Sequence, residues 1–394
     1  MPHALATARI PTRQELIERA RALAGAFAPR AAAAEQARRM PAESIKDMLD
    51  AGLARILMPR RFGGYELDFE AWNDVVLEIG RADASHGWCA SLIIHHAHLV
   101  AQFPEEVQQA IWADGPDVPI AASFAPRAQV TRAEGGYRIS GQDSSYASGV
   151  DHSTWVMVGG LLHEGPAPQW LLLMIPPGAY TVRDTWDTAG MRGTGSKTIV
   201  TNNVLVPATR VLSLADLRQG NGPGGAIHNS PTYRTPFFFY APLCFAAPML
   251  GAALGAYAQF RDGAKTRRGV DGSPVAEKTS VQVGMARAAA DLDAAELLLR
   301  RAALVSDVPA ADVQRLLARS IRDYSRVTEL SVAAIDALIA MSGSAGFASA
   351  QPIQRAWRDI HFAASHISVN PEANYSHFGR MELGLGRDPN RPFF

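Results

Sequence analysis

The hydrophobic period of the chain changes twice, near Pro119 and again at Pro236, and this limits the fold more than any single motif. Before Pro119, Leu16, Ala20, Leu23 and Phe27 follow helical spacing, and a second helix runs through Ile45, Met48 and Leu49 to a stop at Gly52. Two more helices are expected over 70–83 and 85–101. Between 120 and 213 the apolar runs become short and β-rich: Gln129–Arg132, Tyr137–Ser140, Ser153–Val158 and Trp170–Ile175. Gly135-Gly136 reads as a hairpin turn among them. A loop over 214–234 follows, with Gly220, Gly222, Gly224 and Gly225 around Pro223. From Pro236 the helical period returns. Val281, Met285, Ala288, Leu292, Ala295, Leu298 and Ala302 form one stripe, and a third long helix is expected over 309–341. The fold class is therefore α+β, mainly α. It has an N-terminal helical domain over 1–118, a middle antiparallel β-domain, a small barrel or sandwich, over 119–230 and a C-terminal helical bundle of the four-helix type over 231–394.

Composition removes several classes of function. Lys plus Arg is 38 and Asp plus Glu is 38, so nothing favours nucleic acid or an anionic membrane as partner. Cys89 and Cys244 lie in apolar surroundings and read as small buried hydrophobes, not as a disulfide or a metal site. His95, His96 and His98 sit too close in one helix to converge on a metal, and no carboxylate motif accompanies them. No uncharged apolar run is expected to reach the length of a membrane helix, and the N-terminus lacks a leader pattern, so the cytoplasm is the expected location.

Three segments carry a family resemblance. Ala51-Gly-Leu-Ala-Arg-Ile-Leu-Met-Pro with Gly63-Gly64 is the first. Trp186-Asp-Thr-Ala-Gly-Met-Arg-Gly-Thr-Gly-Ser, followed by Val204-Leu-Val-Pro, is the second. The third runs from the glycine pair Gly343 and Gly346 to Arg358-Asp359 and on to His366. Together, in this order and over nearly the whole chain, they resemble the acyl-CoA dehydrogenase superfamily.

One departure redirects the expected chemistry. Dehydrogenases of that superfamily usually carry Glu-Gly-Thr after the Arg-Asp, and that Glu removes a proton next to the thioester. Here it is missing, and His366 falls at about its place. Some members put the base on the first bundle helix instead, but no Asp or Glu occurs between Asp216 and Asp262. Without a carboxylate, proton abstraction loses its general base. Glu372 is a weak replacement. The exchange resembles the two-component flavin-dependent monooxygenases, typified by 4-hydroxyphenylacetate and phenol-type hydroxylases.

That resemblance implies reduced FMN or FAD supplied by a separate NAD(P)H-flavin reductase, with O2 as co-substrate and a small aromatic as acceptor. It implies a C4a-hydroperoxide held by His366, whose imidazole titrates near neutrality; a capping or core histidine is the plainer reading. Ser148, in Tyr146-Ala-Ser-Gly, resembles the branch's Ser-Gly motif at the flavin and substrate face; a turn serine is the alternative. Where the branch often has Trp four residues earlier, this chain has Ser144. Further flavin-site expectations are Trp88, Ser123, Arg268 (with Arg267 as its rival), Gln282, Gly343 and Gly346. Phe238 and Tyr240 are expected substrate walls, with core packing as the equal alternative. The family also implies a homotetramer with sites completed across subunits. An acyl-CoA dehydrogenase with a relocated base, and a non-catalytic flavin-binding member, are the competing readings.

Overall fold

A computed structural model describes residues 9–304 and 312–388. The helices before the sheet are α1 (Arg13–Phe27), α2 (Ala31–Ala37), α3 (Ala42–Asp50), α4 (Phe69–Gly80), α5 (Ala84–Val100) and α6 (Glu105–Ile111). Side chains fix where they begin. Thr12 and Glu15 form a reciprocal capping box at α1, and Asp68 and Asp83 accept backbone N–H groups at the starts of α4 and α5. Gly52, in a left-handed conformation, lies two residues beyond α3.

The sheet contains β1 (Ile120–Ala133), β2 (Gly136–Ala147), β3 (Trp155–Leu162), β4 (Gln169–Ile175), β5 (Thr181–Arg183), β6 (Lys197–Pro207) and β7 (Val211–Ser213). Their order is β5-β6-β2-β1-β3-β4-β7. The sheet is mixed rather than wholly antiparallel. β1 runs parallel to β3, and the register slips between Ser123 and Ala128, while the other pairings are antiparallel. The pleat sends alternate residues to two cores. Met157, Leu172 and Met174 join the large core shared with the helices. Val156, Val158, Leu171 and Leu173 join a second core on the other face.

The helices after the sheet are α7 (Leu214–Leu217), α8 (Phe237–Tyr240), α9 (Leu243–Ala264), α10 (Thr279–Ala303), α11 (Val313–Gly346), α12 (Pro352–Ala364) and α13 (Pro371–Glu382). The expected stretch of α11 from 309 to 311 lies outside the described residues. α9 to α12 pack as a bundle, α13 lies on α11, and α4 and α5 pack on α9. One expectation is corrected here. The uncharged run from Thr235 to Phe260 does reach membrane-helix length. Phe237–Ala264 and Val313–Gly346 both pass that test by length and composition. In the most apolar 18-residue stretch of the first, 83% is buried within the protein, because helices pack around it on several sides. A helix apolar all round is what such a central position requires.

Near its C-terminal end α11 is interrupted at Gly343, with φ 60° and ψ −166°. A side chain is strained at such a φ, so glycine is the residue that turns the backbone there. The Arg267 guanidinium donates to the Met341 carbonyl at 2.7 Å and to that of Ser342 at 3.5 Å, satisfying acceptors next to the break.

Candidate active site

The residues expected near a flavin come from separate parts of the chain and meet at one place. Trp88 lies on α5, Phe245 on α9 and His366 just beyond α12. The Phe245 and His366 rings stack with centroids 3.7 Å apart and planes 28° apart. Trp88 meets His366 edge-on at 5.9 Å and Phe245 at 4.8 Å. The part-buried His366 does cap a turn: its Nδ1 accepts from the Ser368 N–H at 3.2 Å. A backbone N–H only donates, so Nδ1 carries no proton and the neutral ring carries it on Nε2. Burial lowers the His366 pKa to about 4. The ring is therefore a neutral Nε2–H donor across the range where the protein would work.

Ser148 joins the sheet to these rings. Its Oγ accepts from Trp88 Nε1 at 3.1 Å and lies 2.7 Å from Ser196 Oγ. Ser196 Oγ lies 2.6 Å from Thr194 Oγ1, and Thr194 Oγ1 donates to the Met191 carbonyl at 2.8 Å. Ser196 and Thr194 were not singled out from the sequence. Their one signal was membership of the Gly-Met-Arg-Gly-Thr-Gly-Ser run. Ser148 also borders a pocket lined by Cys89, Leu92, Ile120 and Gly149. Along α5, Trp88, Leu92 and His96 are spaced to share a face. His96 Nδ1 donates to the Ile120 carbonyl at 2.5 Å.

The same glycine-rich run explains why Arg358-Asp359 accompanies it. Asp359 Oδ1 accepts from the Met191 N–H at 2.6 Å, and Arg358 donates to the Ala189 carbonyl at 2.7 Å. A Cβ on Gly190 would lie 2.4 Å from the Arg358 carbonyl oxygen, so glycine permits this approach of loop to helix. Asp359 is buried, and burial together with the Asp83 charge pushes its pKa up to about 8. Its folded value lies above the unfolded one of about 4, so its contribution to stability is fully present below about pH 4 and is lost as pH rises towards 8. Asp359→Asn keeps an acceptor for Met191 without a charge. Its denaturation midpoint relative to the wild type should therefore rise from about pH 4 to about pH 8 and then level off. A flat difference across parallel urea titrations would show that Asp359 is already ionised in the fold.

The other expected residues fall elsewhere. Ser123 is fully buried, and its hydroxyl donates to the Ser145 carbonyl at 2.8 Å, tying β1 to β2. Phe238 is partly exposed, beside Phe237 and under the Arg218 guanidinium. Tyr240 is 1% exposed and stacks on Phe69 at 4.8 Å, a core place rather than a pocket wall. Arg268 is exposed on the link from α9 to α10 and Gln282 in the first turn of α10, donating to the Gly272 and Ala276 carbonyls respectively. Within this chain they do not join the Trp88 group. Gly343 and Gly346 mark the end of α11, with Arg267 as described. His95 stacks on Trp72, whereas His98 bonds the Thr232 carbonyl. Glu372 is exposed in the first turn of α13.

The side chains around Ser148 and His366 fit the expected flavin. They offer partly exposed rings and neutral hydroxyl and imidazole groups, suited to a planar heterocycle edged with N–H and carbonyl groups. Ser144 Oγ on β2 is fully buried without a hydrogen-bond partner. That hydroxyl lies beside Gly141 and Ala128 in the second core and takes no part in the Trp88 group.

Comparison with known proteins shows the family and the fold. Residues 11–115 match the family model "Acyl-CoA dehydrogenase, N-terminal domain", and residues 243–371 match "Acyl-CoA dehydrogenase, C-terminal domain". The chain is 36% identical to the oxygenase component of the FADH(2)-dependent resorcinol hydroxylase of Rhizobium sp. (strain MTP-10005), over 98% of each chain. It is 32% identical to the crystal structure of 3-HSA hydroxylase from Rhodococcus sp. RHA1, with a TM-score of 0.89 over 95% of this chain and 98% of that one. XiaF from Streptomyces sp., solved with FADH2 and glycerol, aligns with a TM-score of 0.87 at 28% identity over 96% of each chain.

Proposed function

From the premise that this chain belongs to the acyl-CoA dehydrogenase superfamily, among its flavin-dependent oxygenase components, we propose how its own residues serve that activity. The chain is the oxygenase of a two-component monooxygenase. It receives reduced flavin from a separate reductase, uses O2 and hydroxylates a small aromatic molecule. Reduced flavin, when bound, supplies the oxygen activation. The chain holds the ring with Trp88, Ser148 and the hydroxyls beside it, and Phe245 and Trp88 keep water away from His366. The His366 Nε2–H donates to developing negative charge next to the ring. Phe238 forms part of the aromatic substrate wall. Arg268 on the α9–α10 link and Gln282 at the start of α10, both exposed, serve a neighbouring subunit's flavin in a homotetramer.

The observation that carries this reading is the neutral His366, locked as an Nε2 donor against Trp88 and Phe245. A proton-abstracting dehydrogenase needs a carboxylate, and among the described residues the rings packed on His366 are those of Trp88 and Phe245. The test supplies anaerobically reduced FAD or FMN, then oxygen, with resorcinol and related phenols as probes. One hydroxylated product per O2 consumed, with the oxygen traced to labelled O2, is expected. Release of all the oxygen as hydrogen peroxide with every phenol, and bleaching of oxidised FAD by an acyl-CoA, would reverse the reading.

A further inference from the structure

The hydroxyls linking Trp88 to Met191 form a chain whose two ends favour one direction. Four contacts define it: Trp88 Nε1 to Ser148 Oγ, Ser148 to Ser196, Ser196 to Thr194, and Thr194 to the Met191 carbonyl. The indole N–H can only donate, and the carbonyl can only accept. Each hydroxyl between them has one hydrogen. Thr194 spends its hydrogen on the carbonyl, which also accepts from Trp186 Nε1 at 3.0 Å and from the Thr194 N–H at 3.2 Å; without that hydrogen the two oxygens, 2.8 Å apart, would face each other bare. Ser196 must then donate to Thr194, and Ser148 to Ser196. Ser148 is left with a filled donor, one lone pair used by Trp88 and one lone pair free. It therefore meets a ligand only as an acceptor, although a serine in isolation could do either.

We propose that Ser196 and Thr194 are positioning residues that hold Ser148 as an acceptor, so that the bound group facing it must donate, as a ring N–H of reduced flavin does. This rests on the flavin reading above. Oxidised flavin presents bare ring nitrogens where the reduced form carries hydrogen. A fixed acceptor therefore favours the reduced form and repels the lone pair of the oxidised one. The discrimination comes from the order of hydrogens along four oxygens and needs no moving part. Neighbouring contacts hold the loop still: the Thr194 carbonyl accepts from the Gly149 N–H at 2.9 Å, and the Met191 N–H is held by Asp359.

The test is a pair of anaerobic equilibrium titrations of the full-length protein, with reduced and with oxidised FAD. The wild type is expected to bind the reduced form more tightly. In Ser196→Ala the Ser148 hydrogen loses its acceptor and can turn towards the ligand. In Thr194→Val the chain can reverse with the same result. Either change should lower the ratio of the two affinities about tenfold, the weight of one hydrogen bond. Ser196→Thr, which keeps the hydroxyl, should restore the ratio. A role limited to packing would weaken both forms equally and leave the ratio where it was.

An unchanged ratio in both Ser196→Ala and Thr194→Val, with thermal midpoints showing them folded, overturns the proposal. A second arm compares resorcinol with its dimethyl ether on the protein loaded with reduced flavin. If only the preference for the free phenol collapses, the donor at Ser148 is a substrate hydroxyl, and the flavin assignment is overturned. If the wild type shows no saturable binding of reduced flavin, the functional reading fails, and that result is distinct from the other two.

Discussion

Replacing His366 by alanine is expected to cut hydroxylated product per oxygen consumed by about 10²-fold, with the missing oxygen recovered as hydrogen peroxide. The size follows from removing one preorganised donor in a site with little water, where a hydrogen bond to developing charge is worth more than in solution. Affinity for reduced flavin should change far less, because Trp88, Ser148 and the hydroxyl chain remain. The prediction has a pH side as well. The imidazole titrates at about 4, so it is neutral and donating throughout the range from pH 6 to 8, and wild-type coupling should be flat there. A sigmoid drop in coupling between pH 6 and 8, or wild-type coupling in His366→Ala, would contradict the donor role.

The largest loss of stability is expected from Asp83→Ala. This carboxylate caps α5 through the His86 N–H, accepts from His86 Nδ1 at 2.7 Å and pairs with Arg355 at 3.5 Å. His86 is in turn stacked on Phe27, and its Nε2 meets Ser44 Oγ at 3.1 Å. A line of Ser, His and Asp invites a catalytic interpretation, but Ser44 and His86 are 0% exposed, so no substrate reaches them. The group is a structural brace. Removing the acid leaves a buried imidazole short of an acceptor and a part-buried guanidinium with only the more distant Glu35, at 4.0 Å, which costs about 3 kcal/mol. Burial alone would raise the Asp83 pKa, but the hydrogen bond and charge of His86, with Arg355, hold it below the usual value. Its contribution is therefore present above about pH 4 and is lost as pH falls through the lowered folded value. Urea midpoints for Asp83→Ala and Asp83→Asn check this. The Asn variant should lie between the other two, since it keeps the cap and loses the charge. A midpoint for the Ala variant equal to the wild type's would exclude the brace.

Much of this was legible from hydrophobic period. The switch from helical to alternating spacing near Pro119 follows the real passage from α6 to β1, because each element must bury one face. The parallel pairing of β1 with β3 was not legible, since alternation reads the same in either direction. In Phe237–Tyr240 the composition suggested pocket walls, but only the phase of a single turn, fixed by Pro236 and Pro242, decides that Phe238 is partly exposed and Tyr240 is sealed against Phe69. The motifs around Trp186 and Arg358 were visible as strings, whereas their reason for co-occurring, Asp359 on the Met191 N–H, needs the fold. The hydroxyl chain was invisible. Ser148 and Ser196 are far apart in sequence, and neither residue type signals which way its hydrogen points.

Trp88, Ser148 and His366 belong to parts of the polypeptide that are made at different times. During synthesis the first two emerge while α11 and α12 are still untranslated, and His366 follows both helices. Until those last helices dock, any reduced flavin that met the exposed early segments would lack the His366 donor. Coupled oxygen transfer therefore arrives only with the completed molecule, since reduced flavin held without His366 would give up its oxygen as hydrogen peroxide.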